Sequence, residues 1–314
     1  MRPLAPVVPL QLDAFTLRTV IAEYRDALRV AGRSPRTIRW YGDQLEEFVR
    51  FVERDGGPAS LDDLRPAVVR RWLLAAQAAR SVPLAPASLA GRVRTVRAFG
   101  SWVTREFELP ASPLAGLPVP RVPQVLVSSL REDDLRALLR ATETSAHPER
   151  DRAIVLLLLD TGLRLAEAAG LRVGDVDLIE GRATVMGKGA RQRMVPIGRR
   201  TRQALRRILA PRGQIEAADP LFVATDGGAL TAHGIQQVFR RLARRERLSV
   251  RCSPHVLRHT FARSFLRNGG DVFSLQRILG HSPRSLQVTR RYLDLDDDDL
   301  RAVHRSVSPV DRLL

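Results

Sequence analysis

Between Leu109 and Gln124 the chain carries Pro110, Pro113, Pro118, Pro120 and Pro123. Each ring fixes φ and removes a backbone donor, so neither a helix nor an inner strand can run through this stretch. It reads as a semi-rigid extended linker, and whatever the chain folds into must be built separately on its two sides. The 314 residues suit about two domains. The predicted layout is a flexible tail at 1–12, a helical domain at 13–109, the linker at 110–127, a second domain at 128–296 and a terminal helix or tail at 297–314.

Before the linker the apolar residues recur at helical spacing. A first helix is expected from Phe15 to Ala31, stopped by Gly32. A second starts with Ser34 as N-cap and Pro35 at the first helical position. Ser60 with Asp63 has capping-box spacing and should open a third. Ser88 should open a fourth, with Leu89, Val93, Val96, Phe99, Trp102 and Val103 as its inner face. Its other face is assigned Arg92, Arg94, Arg97 and Arg105. An Arg run of this kind is either a solvated face or a set of phosphate contacts.

Beyond the linker, Ser129 and Glu132 form another candidate capping box, opening a helix through Leu139. The apolar helix Ala153 to Leu159 leads into Asp160-Thr161-Gly162-Leu163-Arg164-Leu165-Ala166-Glu167, where Gly162 supplies a sharp turn and a new helix begins. Glu167 falls in that helix's first turn, where the dipole favours a carboxylate. Arg164 projects from a helix start, as an anion-facing group or as an ordinary exposed Arg. Asp175 to Leu178, Arg182 to Met186 and Arg191 to Ile197 read as three short strands, the last two joined by Gly187-Lys188-Gly189-Ala190. The Gly187-Lys188 pair lacks the remaining positions of a nucleotide-binding loop. Thr231 caps a later helix with Arg240, Arg241, Arg244, Arg245 and Arg247 along and after it, either a backbone or groove contact or a plain solvated end. The fold class is therefore mainly α with one small antiparallel β-sheet.

Lys188 is the only lysine among 51 basic residues. Where every other cation is Arg, a retained Lys points to a need for a group that can lose and regain a proton, though a surface accident is the alternative. At a hairpin tip, such an ammonium suits a general acid. A second cluster runs from Ser253-Pro254-His255-Val256-Leu257-Arg258-His259 to Leu279-Gly280-His281 and Tyr292. The Ser-Pro start and the apolar spacing predict a helix with His255 and Arg258 three apart. An Arg there can grip two phosphate oxygens. His255 and His259 have the spacing of a helical metal pair, but Arg258 between them opposes a cation, and no metal is expected. Tyr24 and Tyr41 fall on apolar positions, which leaves Tyr292 as the candidate phenol, unless it is a core aromatic.

The net charge of +17 is shared: 17 Arg stand against 12 acidic residues up to Pro118, and 34 basic against 22 acidic beyond it. Both halves are basic, as two parts gripping one polyanion would be. Cys252 is the only cysteine, which excludes an intrachain disulfide and suits a reducing compartment. The Pro-broken start is no signal peptide, and no apolar run is long enough to span a bilayer. A cytoplasmic, nucleoid-associated protein is expected.

Thr161-Gly162-Leu163-Arg164 with Glu167, Lys188 in its hairpin, His255-x-x-Arg258-His259, Leu279-Gly280-His281 and Tyr292 together resemble the catalytic domain of the tyrosine recombinases, the phage integrase family, in its Xer-like form. The first domain, notably Ser34-Pro35-Arg36-Thr37, is similar to that family's helical, SAM-like core-binding domain. The resemblance implies an α+β catalytic domain in which Tyr292 attacks a scissile phosphate to give a 3′-phosphotyrosyl link. Arg164 and Arg258 would stabilise the transition state, Lys188 protonate the leaving oxygen, His255 manage the tyrosyl proton and His281 support the phosphate. It implies site-specific strand exchange through a Holliday junction, with no cofactor. The implied partners are double-stranded DNA with an inverted-repeat core site, further copies in a tetramer on paired sites, and accessory DNA-bending or partner recombinase proteins. Leu300 and Val303 of the terminal helix, preceded by Asp296 to Asp299, would dock on a neighbour. Two features depart from the family: the His281 to Tyr292 interval is two residues longer than usual, with Pro283 and Arg284 as the added pair, and Ala166 replaces the usual Ser before Glu167. The alternatives are a catalytically silent DNA-binding regulator of the same fold and a relaxing topoisomerase with similar chemistry.

Overall fold

The computed structural model describes residues 16–54, 56–123, 129–187, 192–246 and 252–280. The chain divides into two compact units, Met1–Val125 and Leu126–Leu314. The tails at 1–12 and 297–314, Lys188, His281, Tyr292, Asp296 to Asp299, Leu300 and Val303 lie outside the described residues.

In the first unit, Thr16 caps α1 (Leu17–Val30) by accepting from Thr19 N at 3.3 Å. Gly32 takes a left-handed φ of 64° after it. Ser34 caps α2 (Pro35–Glu53) by accepting from Thr37 N at 3.2 Å. Two helix starts differ from expectation, and proline explains both. The Ser60–Asp63 box closes only a short 3-10 turn, Leu61–Asp63, and α3 (Pro66–Ala78) begins at Pro66 after an extended Arg65. A residue before proline is driven out of the helical region, so the helix cannot start earlier. Likewise α4 (Pro86–Glu106) starts at Pro86, with Ser88 already inside it.

The core gathers Leu45, Phe48, Trp72, Phe99 and Trp102 from α2, α3 and α4 around Tyr24 of α1. Arg92 does not lie on the outer face of α4: it is 5% exposed, its Nη1 donates to Glu47 Oε1 at 2.6 Å, and its guanidinium sits 5.3 Å from the Trp72 ring centroid. One step round α4 from Val93 and one turn from Val96, it falls on the buried stripe, where an ion pair and an aromatic face offset the desolvation of its charge. Arg94 and Arg105 are exposed and Arg97 is half-buried.

The second unit is assembled on α6 (Pro148–Thr161), whose Ile154, Leu157 and Leu158 are fully buried. Against it pack α5 (Glu132–Glu143), α8 (Arg199–Leu209) and α10 (Pro254–Arg267). The cap of α5 is Arg131, whose N–H donates to Asp134 at 3.1 Å, rather than the expected Ser129. A short α7 (Leu165–Ala169) precedes the sheet β1 (Val176–Asp177), β2 (Arg182–Met186) and β3 (Gln192–Pro196), antiparallel in the order β1-β2-β3. Ala183, Val185 and Val195 face the core. Thr231 caps α9 (Ala232–Arg245), and α11 (Val272–Leu279) packs on both α10 and β3.

All three tryptophans, Trp40, Trp72 and Trp102, lie in the first unit, so their fluorescence follows its unfolding alone. Arg92→Ala is expected to cost about 2 kcal/mol in urea unfolding. The exposed Arg94→Ala should stay within about 0.5 kcal/mol of the parent. Equal losses in the two variants would contradict the buried placement of Arg92.

Candidate active site

The site begins at a turn that only glycine fits. Thr161 ends α6, and Gly162 follows with φ 60° and ψ 24°. A Cβ there would stand 2.4 Å from a Phe261 ring carbon and 2.8 Å from Leu279 Cδ2. Both the left-handed backbone and the close approach of α10 and α11 therefore require glycine. The turn leaves the Gly162 carbonyl facing α10 and delivers Arg164 to the N-cap of α7.

Glu167, at the third position of α7, closes a capping box by accepting Arg164 N at 2.8 Å. It also accepts Arg164 Nη1 at 2.7 Å. A second guanidinium meets it from the sheet: Arg193 Nη1 and Nη2 of β3 donate to its two oxygens at 2.9 and 2.7 Å. Burial pushes the Glu167 carboxyl up, but the Arg193 bonds, then the Arg164 N–H and guanidinium, outweigh it and hold the group below its ordinary 4.5.

The same cations converge on the end of α11. That helix stops at Gly280, in the left-handed region at φ 64°, and its last carbonyls are each taken by an arginine from a different element. Arg193 Nε donates to Ile278 O at 2.8 Å, Arg258 Nη2 to Leu279 O at 2.8 Å, and Arg164 Nη2 reaches Gly280 O at 3.4 Å. Arg258 also donates from Nη1 to Gly162 O at 2.5 Å, which ties the α6–α7 turn to the same cap. A helix C-terminus presents orphan carbonyls and a negative dipole end, so it is a natural seat for guanidinium groups. Arg258 is 5% exposed, whereas the Arg164 side chain is 40% exposed and so presents its charge to solvent.

His255 is exposed on the first turn of α10, one turn before Arg258. Its Nε2 lies 3.0 Å from Nε2 of the buried His259, with the rings edge to face 4.5 Å apart. One ring must supply the N–H and the other the lone pair at Nε2, so the two neutral imidazoles hold complementary tautomers. Among the described residues no group of three or more His, Cys, Asp or Glu could hold a metal ion. The buried Cys252 packs in the core, where burial pushes its thiol up to about 12; it is no nucleophile.

The structure thus brings together Arg164 and Arg258 of the predicted catalytic set on neighbouring carbonyls, with His255 one turn before Arg258 on α10. Lys188, His281 and Tyr292 lie outside the described residues. Of the predicted DNA-contacting residues, Arg240, Arg241 and Arg244 are exposed along α9, and Arg94 is exposed on α4. Sequence reasoning missed Arg193 and gave His259 no role beyond a rejected metal pair. The signal for Arg193 was strand parity: β3 alternates, and Arg193 shares the inward-facing register with Val195, where an unpaired charge would be costly.

The sequence model of the Phage integrase family matches residues 128–299, and that of the phage integrase N-terminal SAM-like domain matches residues 21–107. Tyrosine recombinase XerC of Shigella flexneri is 33% identical over 295 residues, covering 93% of this chain and 97% of its own length. The chain belongs to the tyrosine recombinases of the phage integrase family. That is a family of site-specific recombinase enzymes. Two solved structures share the tyrosine recombinase fold. The Tn1549 transposon integrase in complex with transposon right end DNA has a TM-score of 0.72 at 20% identity, with 94% of this chain and 100% of that one covered. A lambda integrase tetramer bound to a Holliday junction has 0.69 at 19%, with 87% and 79% covered. No helix among the described residues of this tyrosine recombinase is long and apolar enough to cross a membrane.

A carboxyl held below its unfolded value contributes stability above that value and loses it as pH falls through the folded one. The Glu167 contribution should therefore be complete above about 4.5 and fade below it. Thermal melts across this range should show Glu167→Gln less stable than the parent at neutral pH, with the gap narrowing as the medium is acidified. A gap that widens toward acid would contradict the assignment.

Proposed function

We propose that this chain is a site-specific DNA recombinase that cuts and rejoins strands through a 3′-phosphotyrosyl intermediate and a Holliday junction. The observation that carries the reading is the pair Arg164 and Arg258, seated on the successive carbonyls Gly280 O and Leu279 O. Fixed cations side by side suit a phosphoryl transition state, whose charge sits on equatorial oxygens and whose stabilisation is mostly electrostatic.

The oxygen of Tyr292 attacks phosphorus as the bond from phosphorus to the 5′-oxygen breaks. Lys188 gives its proton to the departing alkoxide, and His255 takes the tyrosyl proton. A free phenol titrates at about 10, so it needs that help. His281, next in the chain after Gly280, supports the phosphate. The 5′-hydroxyl of another strand then attacks the phosphotyrosine and reverses each proton transfer. The bond energy is conserved in the ester, so no nucleotide or metal enters the balance.

In this reading residues 13–109 form the core-binding domain and 128–296 the catalytic domain, joined by the linker at 110–127, with the tails 1–12 and 297–314 outside them. The exposed Arg94 of α4 and Arg240, Arg241 and Arg244 of α9, with the half-buried Arg97, contact the DNA backbone or groove; Arg92 takes a structural role. The working assembly is a tetramer on paired inverted-repeat sites in the cytoplasm, at the nucleoid, with accessory DNA-bending or partner recombinase proteins. Leu300 and Val303 make the contact between copies.

The test is covalent trapping. The protein is incubated, without metal or nucleotide, on labelled nicked fragments of its own flanking DNA, and products are resolved under denaturing conditions. A covalent band that disappears in Tyr292→Phe is expected, and its position maps the site. Specific binding with no band would contradict the reading and favour a silent DNA-binding regulator.

A further inference from the structure

We propose that Arg193 is a positioning residue of the recombination site, holding Arg164 and the end of α11 in one frame; this rests on the recombinase reading above. Three observations carry it. The side chain is 12% exposed and spends its guanidinium on two elements at once: both terminal nitrogens on Glu167 of α7 and Nε on Ile278 O of α11. A planar fork has one orientation that satisfies all three bonds, so α7, β3 and the α11 cap are locked to a common geometry. Each end of that lock lies one residue or one bond from predicted chemistry. Glu167 grips Arg164, and Ile278 O stands beside the carbonyls that seat Arg258 and Arg164.

The charge balance gives the arrangement its purpose. Glu167 and Arg164 alone would form a neutral pair, with the carboxylate cancelling the positive charge offered to a phosphate. Arg193 supplies a second cation to the same carboxylate, so two guanidinium groups against one carboxylate leave a net positive charge, and the exposed member of the cluster is Arg164. If Arg193 served the fold alone, an apolar residue in its inward register beside Val195 would serve as well without the desolvation cost of a buried ion. Gly280 reinforces the contact: a Cβ there would meet Arg193 Nε at 2.9 Å, so the cap approaches the guanidinium as closely as glycine allows.

A positioning role for Arg193 acts on transition-state geometry and not on DNA affinity or leaving-group protonation, and each can be measured on the full chain. The probe is a nicked duplex spanning the cleavage position mapped by trapping, in two forms: one with the natural 5′-oxygen and one with sulfur at that bridging position, a leaving group that needs no proton. Arg193→Ala is expected to cut the single-turnover cleavage rate at saturating protein by about 100-fold, the scale of a small misplacement of a reacting group. The protein concentration for half-saturation should shift by less than about 3-fold, as expected of a residue that makes no ground-state contact with DNA. The deficit should persist on the sulfur substrate, where Lys188→Ala recovers. Added guanidinium at millimolar concentration should restore part of the rate.

Arg193→Lys keeps the charge without the fork, and should sit between the parent and Arg193→Ala. It carries the test if the alanine variant does not fold. A cleavage rate in either variant equal to the parent's overturns the positioning role alone. So does full recovery of Arg193→Ala on the sulfur substrate, which would place its effect on the proton delivered to the leaving oxygen. Absence of any covalent band from the parent protein overturns the recombinase reading and this inference together.

Discussion

The second unit depends on how one helix ends. The last carbonyls of α11 are taken one after another by Arg193 from the sheet, Arg258 from α10 and Arg164 from the start of α7. Glu167 binds the first and last of these into one network. A helix C-terminus is the negative end of a dipole and carries carbonyls with no intrahelical partner. Here those carbonyls gather segments, some more than a hundred residues apart in the chain, into a single cationic cluster whose exposed member is Arg164. The price is two special glycines: Gly162, which lets α6 turn beneath Phe261, and Gly280, which ends α11 against Arg193.

A second theme is the double use of arginine. With 51 basic residues, a single cationic side-chain type serves almost every purpose. Arg202 donates to Ile179 O, Arg206 to Leu178 O and Arg212 to Pro220 O, stapling loops of the second unit to its helices. Arg92 is buried under Trp72 and Glu47, while Arg94, two residues on, points to solvent. The basic balance of the chain is therefore only partly available to DNA, and the excess that faces outward is what long-range attraction can use.

Much of this was legible in the sequence. Helix starts at Ser34, Thr231 and Ser253, the glycine turn at Gly162 and the three-stranded sheet follow from local rules of capping, left-handed backbone and strand alternation. Proline position and tertiary pairing account for the differences. Helix starts at Ser60 and Ser88 were displaced because Pro66 and Pro86 set the first turn more strongly than a nearby hydroxyl. Arg92 faces the core against Glu47 and Trp72, a burial that an arginine's sequence pattern does not show without its tertiary partners. For the same reason strand parity marks Arg193 as inward-facing but not its partners: its fork to Glu167 joins residues 26 positions apart, and its bond to Ile278 O joins residues 85 apart. Such pairings are fixed by packing, which periodicity cannot display.

The most direct test of the central claim, that α11's end seats a preorganised pair of guanidinium groups for a transferring phosphate, is a crystal structure of the full chain on its nicked site with vanadate in place of the scissile phosphate. The account predicts vanadate bonded to Tyr292, with Arg164 and Arg258 within about 3 Å of its equatorial oxygens and still on the carbonyls of Gly280 and Leu279. Vanadate bound away from these two arginines, or arginines that reach it only by leaving those carbonyls, would contradict it.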